Sequence, residues 1–252
     1  KSGNVWTVGK PVAQIGTGDG AQTFTTLAEA IAAVPTNGTE TTITMIGDEV
    51  IQGNAGVTVT AGQNIVLDLN GHSVSNNATE AKSSATITNK GTLKIVDNTD
   101  AGMDGEDCGY LTNEASEDNT GDWWSTPRKN WATNTITNYG TLTLESGSIR
   151  NTSTGISYCV DNSSNGVKAT FNMTGGKLED NGCAMRLFCN SAQHENIVNI
   201  SGGTIESKNS VAFWVQLPGS SGQAKKCSLT ISEDAVIKGA VVKFDQTVVI
   251  VD

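Results

Sequence analysis

One pattern of residues recurs through the C-terminal half of the chain at intervals of 27 to 31 residues. Each copy has two apolar residues around one polar residue, then a turn of small residues and a further apolar residue. The copies cover 142–149, 171–178, 198–205 and 229–237. Alternation with a period of two is typical of a strand with one buried face. A pattern repeated at such an interval predicts a solenoid.

A second series of apolar residues lies between these copies. Its members are Tyr158, Met185, Phe213 and Val242, which are separated by 27, 28 and 29 residues. Another apolar residue follows each of them two positions later. We predict that this series points into the core and that the next residue of each strand points outward. These outward residues are Cys159, Arg186, Trp214 and Lys243.

The short strands select the β form of a solenoid. A strand of about four or five residues cannot bury its apolar face alone. Coils stacked about 4.8 Å apart bury it by pairing each strand with its equivalents above and below. We therefore predict an all-β fold, a right-handed single-stranded parallel β-helix of seven or eight coils. It forms one domain over 1–252, with regular coils over 134–252, Gly-Gly corners, and corner asparagines at Asn151, Asn181 and Asn209.

The N-terminal part contains the one helical pattern of the chain. Apolar residues have helical spacing, Thr26 and Glu29 form a capping box, and Pro35 lies at the end. We predict a helix over 22–35 that caps the open end of the solenoid core. Strands are expected at 41–46, 57–59, 65–69 and 85–95.

Three segments carry a resemblance to a known family. They are Phe24-Thr-Thr-Leu-Ala-Glu-Ala-Ile, Ile65-Val-Leu-Asp-Leu-Asn-Gly-His and Ile87-Thr-Asn-Lys-Gly-Thr-Leu-Lys-Ile. In these the chain resembles pectate-lyase-like β-helix domains, which are common in large surface proteins of bacteria, especially Gram-positive gut inhabitants. The resemblance implies cell-surface adhesion or a module of a carbohydrate-active protein, without choosing between them.

Residues 97–133 interrupt the repeat. The segment lacks strand alternation, is too long for a simple coil, and holds Trp123, Trp124 and Trp131. We interpret it as an insertion loop with a functional role, because long irregular loops are usually functional or mobile. Its acidic residues over 97–107 do not have the spacing of an EF-hand. A solvated acidic loop is therefore favoured over a calcium site, and no metal is assigned.

Few residues have the spacing that catalysis requires. Hydrolases of this fold pair closely spaced aspartates, and no Asp-Asp pair is present. Asp68 and His72 are the nearest candidates, but we favour an outward Asp68 and a corner position for His72. No serine nucleophile elbow, phosphate loop or dinucleotide motif occurs, so we assign no catalytic residue and no cofactor. The five cysteines are expected to be buried and apolar, because none has metal-ligand spacing.

The predicted outward stripe is the main candidate for binding. Aromatic and arginine side chains on a surface are typical of recognition sites. In the alternative interpretation, the 97–133 segment folds over this face and buries Trp214. The candidate ligand-binding residues are Trp123, Trp124, Trp131, Arg186, Phe188, Trp214 and Lys243.

Charge and chain ends narrow the function classes. The net charge of −10 disfavours nucleic acid as a partner, and no apolar run is long enough to insert in a membrane. The chain starts at Lys1 without a signal peptide or anchor, so we interpret it as a processed piece of a larger protein. We expect a secreted or cell-wall bacterial module that binds a glycan or a host surface protein without catalysis. A polysaccharide lyase or glycoside hydrolase and a passive stalk are the alternatives, and the oligomeric state stays open.

Overall fold

The structure is a computed structural model, and it describes most of the chain. The described residues are 9–51, 56–77, 85–99, 108–114, 133–152, 157–163, 168–180, 182–189, 195–216, 226–244 and 249–251. They form a right-handed parallel β-helix with one α-helix at its N-terminal end, as the sequence predicts.

The elements follow each other as short strands, with α1 (Leu27–Ala33) as the single described α-helix. In chain order the strands are β1 (Ala13–Ile15), β2 (Gln22–Phe24), β3 (Glu40–Met45), β4 (Glu49–Ile51), β5 (Val57–Val59), β6 (Asn64–Asp68), β7 (Ser73–Asn76), β8 (Ile87–Asn89), β9 (Thr92–Val96), β10 (Tyr110–Asn113), β11 (Thr133–Asn138), β12 (Thr141–Leu144), β13 (Ser148–Asn151), β14 (Ser157–Ser163), β15 (Ala169–Met173), β16 (Lys177–Asp180), β17 (Cys183–Phe188), β18 (Glu195–Ile200), β19 (Thr204–Gln216), β20 (Lys226–Ile231), β21 (Val236–Phe244) and β22 (Val249–Val251).

The strands stack into three faces. The first face runs β3, β6, β9, β12, β15, β18, β20 and β22. The second face consists of β4, β7, β10, β13, β16 and the first part of β19. The third face consists of β5, β8, β11, β14, β17 and the last part of β19. β19 turns the corner between the second and third faces, and β21 pairs along it. The described strands make seven coils, from β3–β5 to β20–β21, and β22 begins another rung.

The register on the first face confirms the repeat on which the fold prediction rests. Leu144 pairs with Met173, Met173 with Ile200, and Ile200 with Ile231. The first three of these side chains are buried in the core. Like side chains therefore lie one rung apart, and each coil covers the apolar face of the next.

The register on the third face differs from the prediction in two places. Met185 pairs with Phe213 as expected, but Tyr158 pairs with Cys183 and Val242 with Trp214. The prediction assumed nearly constant coil lengths. The observed offset is 25 residues between β14 and β17 but 28 between β17 and β19, so Val160 occupies the position expected for Tyr158.

Glycines form the tight corner between the first and second faces. Gly176 and Gly203 have φ angles of 72° and 83°, which residues other than glycine rarely adopt. A Cβ atom on Gly203 would lie 2.7 Å from the carbonyl oxygen of Gly176 in the coil below. The corner therefore needs glycine both for its φ angle and for the close approach of successive coils.

Buried asparagines connect the coils at the corner between the third and first faces. The Nδ2 atom of Asn89 donates to Oδ1 of Asn138 at 2.8 Å, Asn138 to Asn162 at 2.6 Å, and Asn162 to Asn196 at 2.7 Å. Of the predicted corner asparagines, Asn151 is buried and donates to the carbonyl oxygen of Tyr158. Asn181 and the side chain of Asn209 lie outside the described residues.

The N-terminal helix is shorter than predicted. It covers Leu27–Ala33 and not 22–35, because Gln22–Phe24 form β2, which pairs antiparallel with β1. The hydroxyl oxygen of Thr26 accepts from the backbone N–H of Glu29, as the capping box predicts. The Glu29 carboxylate also accepts from the backbone N–H and the hydroxyl group of Thr25. Leu27, Ala30 and Ile31 are buried against the core.

The segment 97–133 contains a strand that the sequence prediction missed. Tyr110–Asn113 form β10, which pairs in parallel with β7 and β13 and supplies the second face of the third coil. The expectation of a loop without strands over the whole segment was therefore wrong. The strand is short, and only Leu111 enters the apolar core, so alternation gave little signal. Trp123, Trp124 and Trp131 lie outside the described residues.

Candidate functional site

The candidate site is on the outer side of the third face. Asp161, Arg186 and Trp214 occupy equivalent positions in three successive coils. Arg186 stands between Met185 and Leu187, whose side chains are in the core, so its own side chain is on the outer side. Together with Tyr158 and Phe188 these residues form what we call the Arg186 cluster.

An ion pair holds the centre of the Arg186 cluster. The Nε atom of Arg186 donates to Oδ1 of Asp161 at 2.9 Å, and its Nη2 atom donates to Oδ2. The exposed fraction of the side chain is 20% for Arg186 and 4% for Asp161. Burial by itself would lower the pKa of Arg186, but the Asp161 carboxylate raises it above the ordinary value. The pair is bidentate, and its two opposite charges sum to zero.

Aromatic rings surround the guanidinium group. Its Cζ atom lies 4.9 Å from the ring centroid of Tyr158 and 4.9 Å from that of Phe188. The rings of Tyr158 and Trp214 have centroids 6.2 Å apart and are tilted by 50°. Tyr158 is fully buried, whereas Phe188 and Trp214 are partly exposed. Cation–π and ring contacts therefore fix the orientation of two aromatic side chains that solvent can reach.

Cys159 does not belong to this surface, although the sequence predicted it there. Its side chain is fully buried in the core, and its Sγ atom lies 3.1 Å from the carbonyl oxygen of Glu179. Burial raises the pKa of the thiol well above its ordinary value. Because the coil between β14 and β17 is shorter than assumed, Asp161 takes the place beside Arg186.

Asn134 and Tyr139 extend the cluster toward the preceding coil, and the sequence did not point to them. The Nδ2 atom of Asn134 lies 2.9 Å from Oγ1 of Thr137 and 3.4 Å from Oδ2 of Asp161. Asn134 is 9% exposed, and its Oδ1 atom accepts no hydrogen bond from a described residue. Tyr139 is partly exposed, and burial together with the Asp161 carboxylate raises its pKa.

The structure brings together three of the predicted site residues, namely Arg186, Phe188 and Trp214. It does not describe the side chain of Lys243, but the backbone register pairs this residue with Val215. Lys243 is thus one position beyond Val242, which is the partner of Trp214. The three tryptophans of the 97–133 segment lie outside the described residues, and so does any contact that they make.

A second arginine stacks on an aromatic ring, on the second face. The Cζ atom of Arg150 lies 4.4 Å from the ring centroid of Tyr110, and its Nε atom donates to Oγ of Ser148 at 3.2 Å. Lys177, Glu179 and Glu206 continue this face as a network of ion pairs. The face is thus bound together mainly by charge, whereas the Arg186 cluster is mainly aromatic.

Asp68 and His72, the nearest candidates for carbohydrate cleavage, make contacts within corners of the coil. Asp68 alternates with the core residues Leu67 and Leu69, so it faces outward as predicted, but a turn covers it. Its carboxylate accepts from the backbone N–H of Asn70 and from the backbone and side chain of Asn98. His72 has Asp48 as its acidic neighbour, with Nδ1 3.4 Å from Oδ1. These contacts stabilise corners of the coil.

Buried carboxylate and thiol groups do not form a metal centre in the described residues. Asp97 accepts from the backbone N–H groups of Gly71 and Gly109 and from the Thr99 hydroxyl group, so it ties three segments together. All five cysteines are buried, as predicted, and none of them forms a disulfide. Burial raises the pKa of Cys183 to about 12. The described part of the chain contains no group of three or more His, Cys, Asp or Glu side chains placed to hold a metal ion.

Comparison with family models, with curated proteins and with solved structures gave no match to this chain. Within the described ranges, no helix has the length and apolar character needed to cross a membrane.

Proposed function

We propose that this β-helix is a non-catalytic recognition module that binds carbohydrate through the Arg186 cluster. The observation that carries the proposal is the pair of partly exposed rings, Phe188 and Trp214, fixed by the buried Asp161–Arg186 pair. Flat apolar rings match the C–H faces of sugars, and a site that is rigid before binding loses less entropy when the ligand arrives.

The expectation of a bacterial surface location belongs to the same proposal. The chain resembles pectate-lyase-like domains of surface proteins in the segments quoted above, and its net charge of −10 helps to keep an exposed protein soluble. A glycan is favoured over a host protein as ligand because the described part of the cluster presents rings and polar groups but no large apolar patch. A role as an adhesin follows if the glycan is one displayed by a host or a neighbouring cell.

Glycan-array binding of the full chain, with affinities measured by calorimetry, tests the proposal. We expect Trp214→Ala and Phe188→Ala each to weaken binding by about tenfold or more, because aromatic anchors carry much of the energy of an interface. Tyr110→Ala is the matched control, since it removes an aromatic ring beside an arginine on the second face. Binding is compared only for variants whose Tm equals that of the unsubstituted protein.

Three outcomes would overturn the proposal. Binding to no glycan would leave the module as a spacer. Unchanged binding in both Trp214→Ala and Phe188→Ala would show that the binding site lies outside the Arg186 cluster. Release of reducing ends or of unsaturated uronate from any polysaccharide makes the protein an enzyme.

A further inference from the structure

We propose that Cys189 and Cys227 form a disulfide bond that links the fifth coil of the β-helix to the seventh when an external disulfide serves as oxidant. The bond is a covalent modification of the core and does not depend on the proposed function. Cys189 directly follows β17, and Cys227 is the second residue of β20.

The asparagines at the corner between the third and first faces show which coils meet there. The Nδ2 atom of Asn89, at the end of the second coil, donates to the carbonyl oxygen of Thr141 in the fourth coil at 2.9 Å. Asn138 in the third coil donates in the same way to Thr170 in the fifth, also at 2.9 Å. Because the chain climbs one coil at each corner, the end of a coil lies one rung below the start of the coil two places later.

Cys189 and Cys227 lie at the next such corner, between the fifth and seventh coils. The Nδ2 atom of Asn196 donates to the carbonyl oxygen of Phe188 at 3.1 Å, so the residue after Phe188 lies beside the start of β18. Cys227 is the register partner of Asn196 one rung above. A rung of about 4.8 Å is within the separation of about 4.4–6.8 Å that a disulfide requires between Cα atoms.

Both thiols point into the core. Cys189 follows the core residue Leu187 by two positions, and Cys227 precedes the core residue Leu229 by two, so alternation directs both side chains inward. The exposed fraction is 0% for Cys189 and 9% for Cys227. Burial, together with the nearby Cys189 thiol, raises the pKa of Cys227 to about 12. Such an electrostatic effect of one thiol on the other requires that the two be close in space.

The chain of asparagine hydrogen bonds does not continue to this rung. The register partner of Asn162 in β17 is Leu187, which has no amide group. In β20 the position of Asn196 is taken by Cys227. The corner above Asn196 therefore has two thiols where the corners below it have amide groups, and a disulfide supplies the missing link between coils.

The other three cysteines are not placed to compete for this bond. Cys183 pairs with Tyr158, whose ring is on the outer side in the Arg186 cluster, whereas Cys159 is in the core. The thiols of Cys159 and Cys183 therefore lie on opposite sides of the third face. Cys108 precedes β10 in the third coil, two coils below β17.

The bond forms by thiol–disulfide exchange. Cys227 reacts first, because it is the more exposed of the two. Its thiol loses a proton, and the thiolate attacks one sulfur of the external disulfide, which releases one thiolate. The Cys189 thiolate then attacks the Cys227 sulfur and releases the second thiolate. The two cysteines are thus oxidised by two electrons, the external disulfide is reduced to two thiols, and these take up the two protons.

The position near the end of the β-helix makes this reaction possible in the folded protein. Buried thiols rarely ionise, so exchange requires local opening of the seventh coil. In that coil Ile231 and Ile237 are only partly buried. Once formed, the bond closes a loop that contains β18 and β19, which restricts the unfolded chain and stabilises the C-terminal coils.

Peptide mapping of the full chain tests the bond. Folded protein is incubated with oxidised glutathione, remaining thiols are blocked with N-ethylmaleimide at acidic pH, and the protein is digested with trypsin. Trypsin separates the five cysteines into five peptides, with Cys189 in 187–208 and Cys227 in 227–238. We expect these two peptides to be joined, with a mass two hydrogen atoms below their sum, and to be separated by dithiothreitol.

Thermal unfolding provides a second measurement. The oxidised protein should have a Tm at least about 5 °C above that of the protein kept in dithiothreitol. Cys227→Ser should have the same Tm under both conditions, whereas Cys108→Ser, which replaces a buried cysteine elsewhere, should keep the difference. If Cys227→Ser does not fold, Cys189→Ala is measured in its place.

Oxidation of the chain in urea is the control for selectivity, because an unfolded chain should give a mixture of cysteine pairs. A similar mixture from the folded protein overturns the inference. Absence of the link between 187–208 and 227–238 after oxidation of the folded protein also overturns it. A link that leaves the Tm unchanged overturns the stabilising role of the bond.

Discussion

At the scale of the residue, the Arg186 cluster shows how a charged side chain can become part of a rigid scaffold. Arg186 is largely buried, yet its charge is matched by Asp161 and its flat faces lie against Tyr158 and Phe188. Removing one partner of such a pair leaves a buried charge without compensation, whereas removing both charges does not. The pair therefore holds the aromatic residues in place.

A double-mutant cycle on the ion pair tests this role. We expect Asp161→Asn and Arg186→Gln each to lower the free energy of unfolding by about 2–4 kcal/mol, because each leaves one buried charge. The double variant should lose less free energy of unfolding than the two single variants lose together, by at least about 1 kcal/mol. Urea unfolding followed by circular dichroism provides the values.

The control for this cycle is the exposed pair formed by Lys94 and Glu145, whose Nζ and Oε1 atoms are 3.1 Å apart. Lys94→Gln should change the free energy of unfolding by less than about 1 kcal/mol, because water screens an exposed pair. Additive effects of Asp161→Asn and Arg186→Gln would show that the two charges do not depend on each other.

At the scale of the element, helix α1 is held to the first coil through its N-terminal end. The Glu49 carboxylate, which is in β4, accepts from the backbone N–H of Leu27 at 2.7 Å. Burial raises the pKa of Glu49 in spite of this hydrogen bond, and the Glu29 carboxylate raises it further. The charged form of Glu49 is therefore less favourable in the folded protein than in the unfolded chain.

The pH dependence of Glu49→Gln follows from this shift. A carboxyl group whose folded pKa is raised contributes stability below its unfolded pKa, and that contribution is lost as the pH rises through the folded pKa. Glutamine keeps the acceptor for Leu27 without the charge. We expect the variant to have the higher Tm at pH 7 and the two Tm values to converge near pH 4, measured by calorimetry. A lower Tm for the variant at pH 7 would show that the charge stabilises the helix.

At the scale of the whole molecule, stability is expected to differ along the axis of the β-helix. Contacts in a solenoid are made between neighbouring coils, so an end coil is held from one side. Helix α1 covers the N-terminal end of the core. Near the other end, Ile231 and Ile237 are only partly buried, whereas the residues at the same rung positions in the preceding coils are fully buried.

Hydrogen exchange measures this difference. We expect the backbone amides of β20 and β21 to exchange earlier than those of β9 and β12, by at least about tenfold in rate, because local opening begins where fewer apolar contacts must be broken. Mass spectrometry on peptides from each coil resolves the order. Equal protection in all coils would indicate that the β-helix opens as one cooperative unit.

The sequence by itself determined the fold, because the alternation of apolar residues and the length of the repeat both recur along the chain. The rung from Leu144 to Ile231 and the capping hydroxyl group of Thr26 were predicted correctly for this reason. β10 was missed because a single core residue cannot produce a visible alternation.

Only the tertiary structure decided the composition of the candidate site. Alternation shows on which side of a strand a residue lies, but not how many residues the following corner uses. The offset of 25 residues between β14 and β17 places Asp161, and not Cys159, beside Arg186. That placement pairs the charge of Arg186 with a carboxylate. It also brings Asn134 of the preceding coil to the ion pair, at a distance along the chain that no local pattern could reveal.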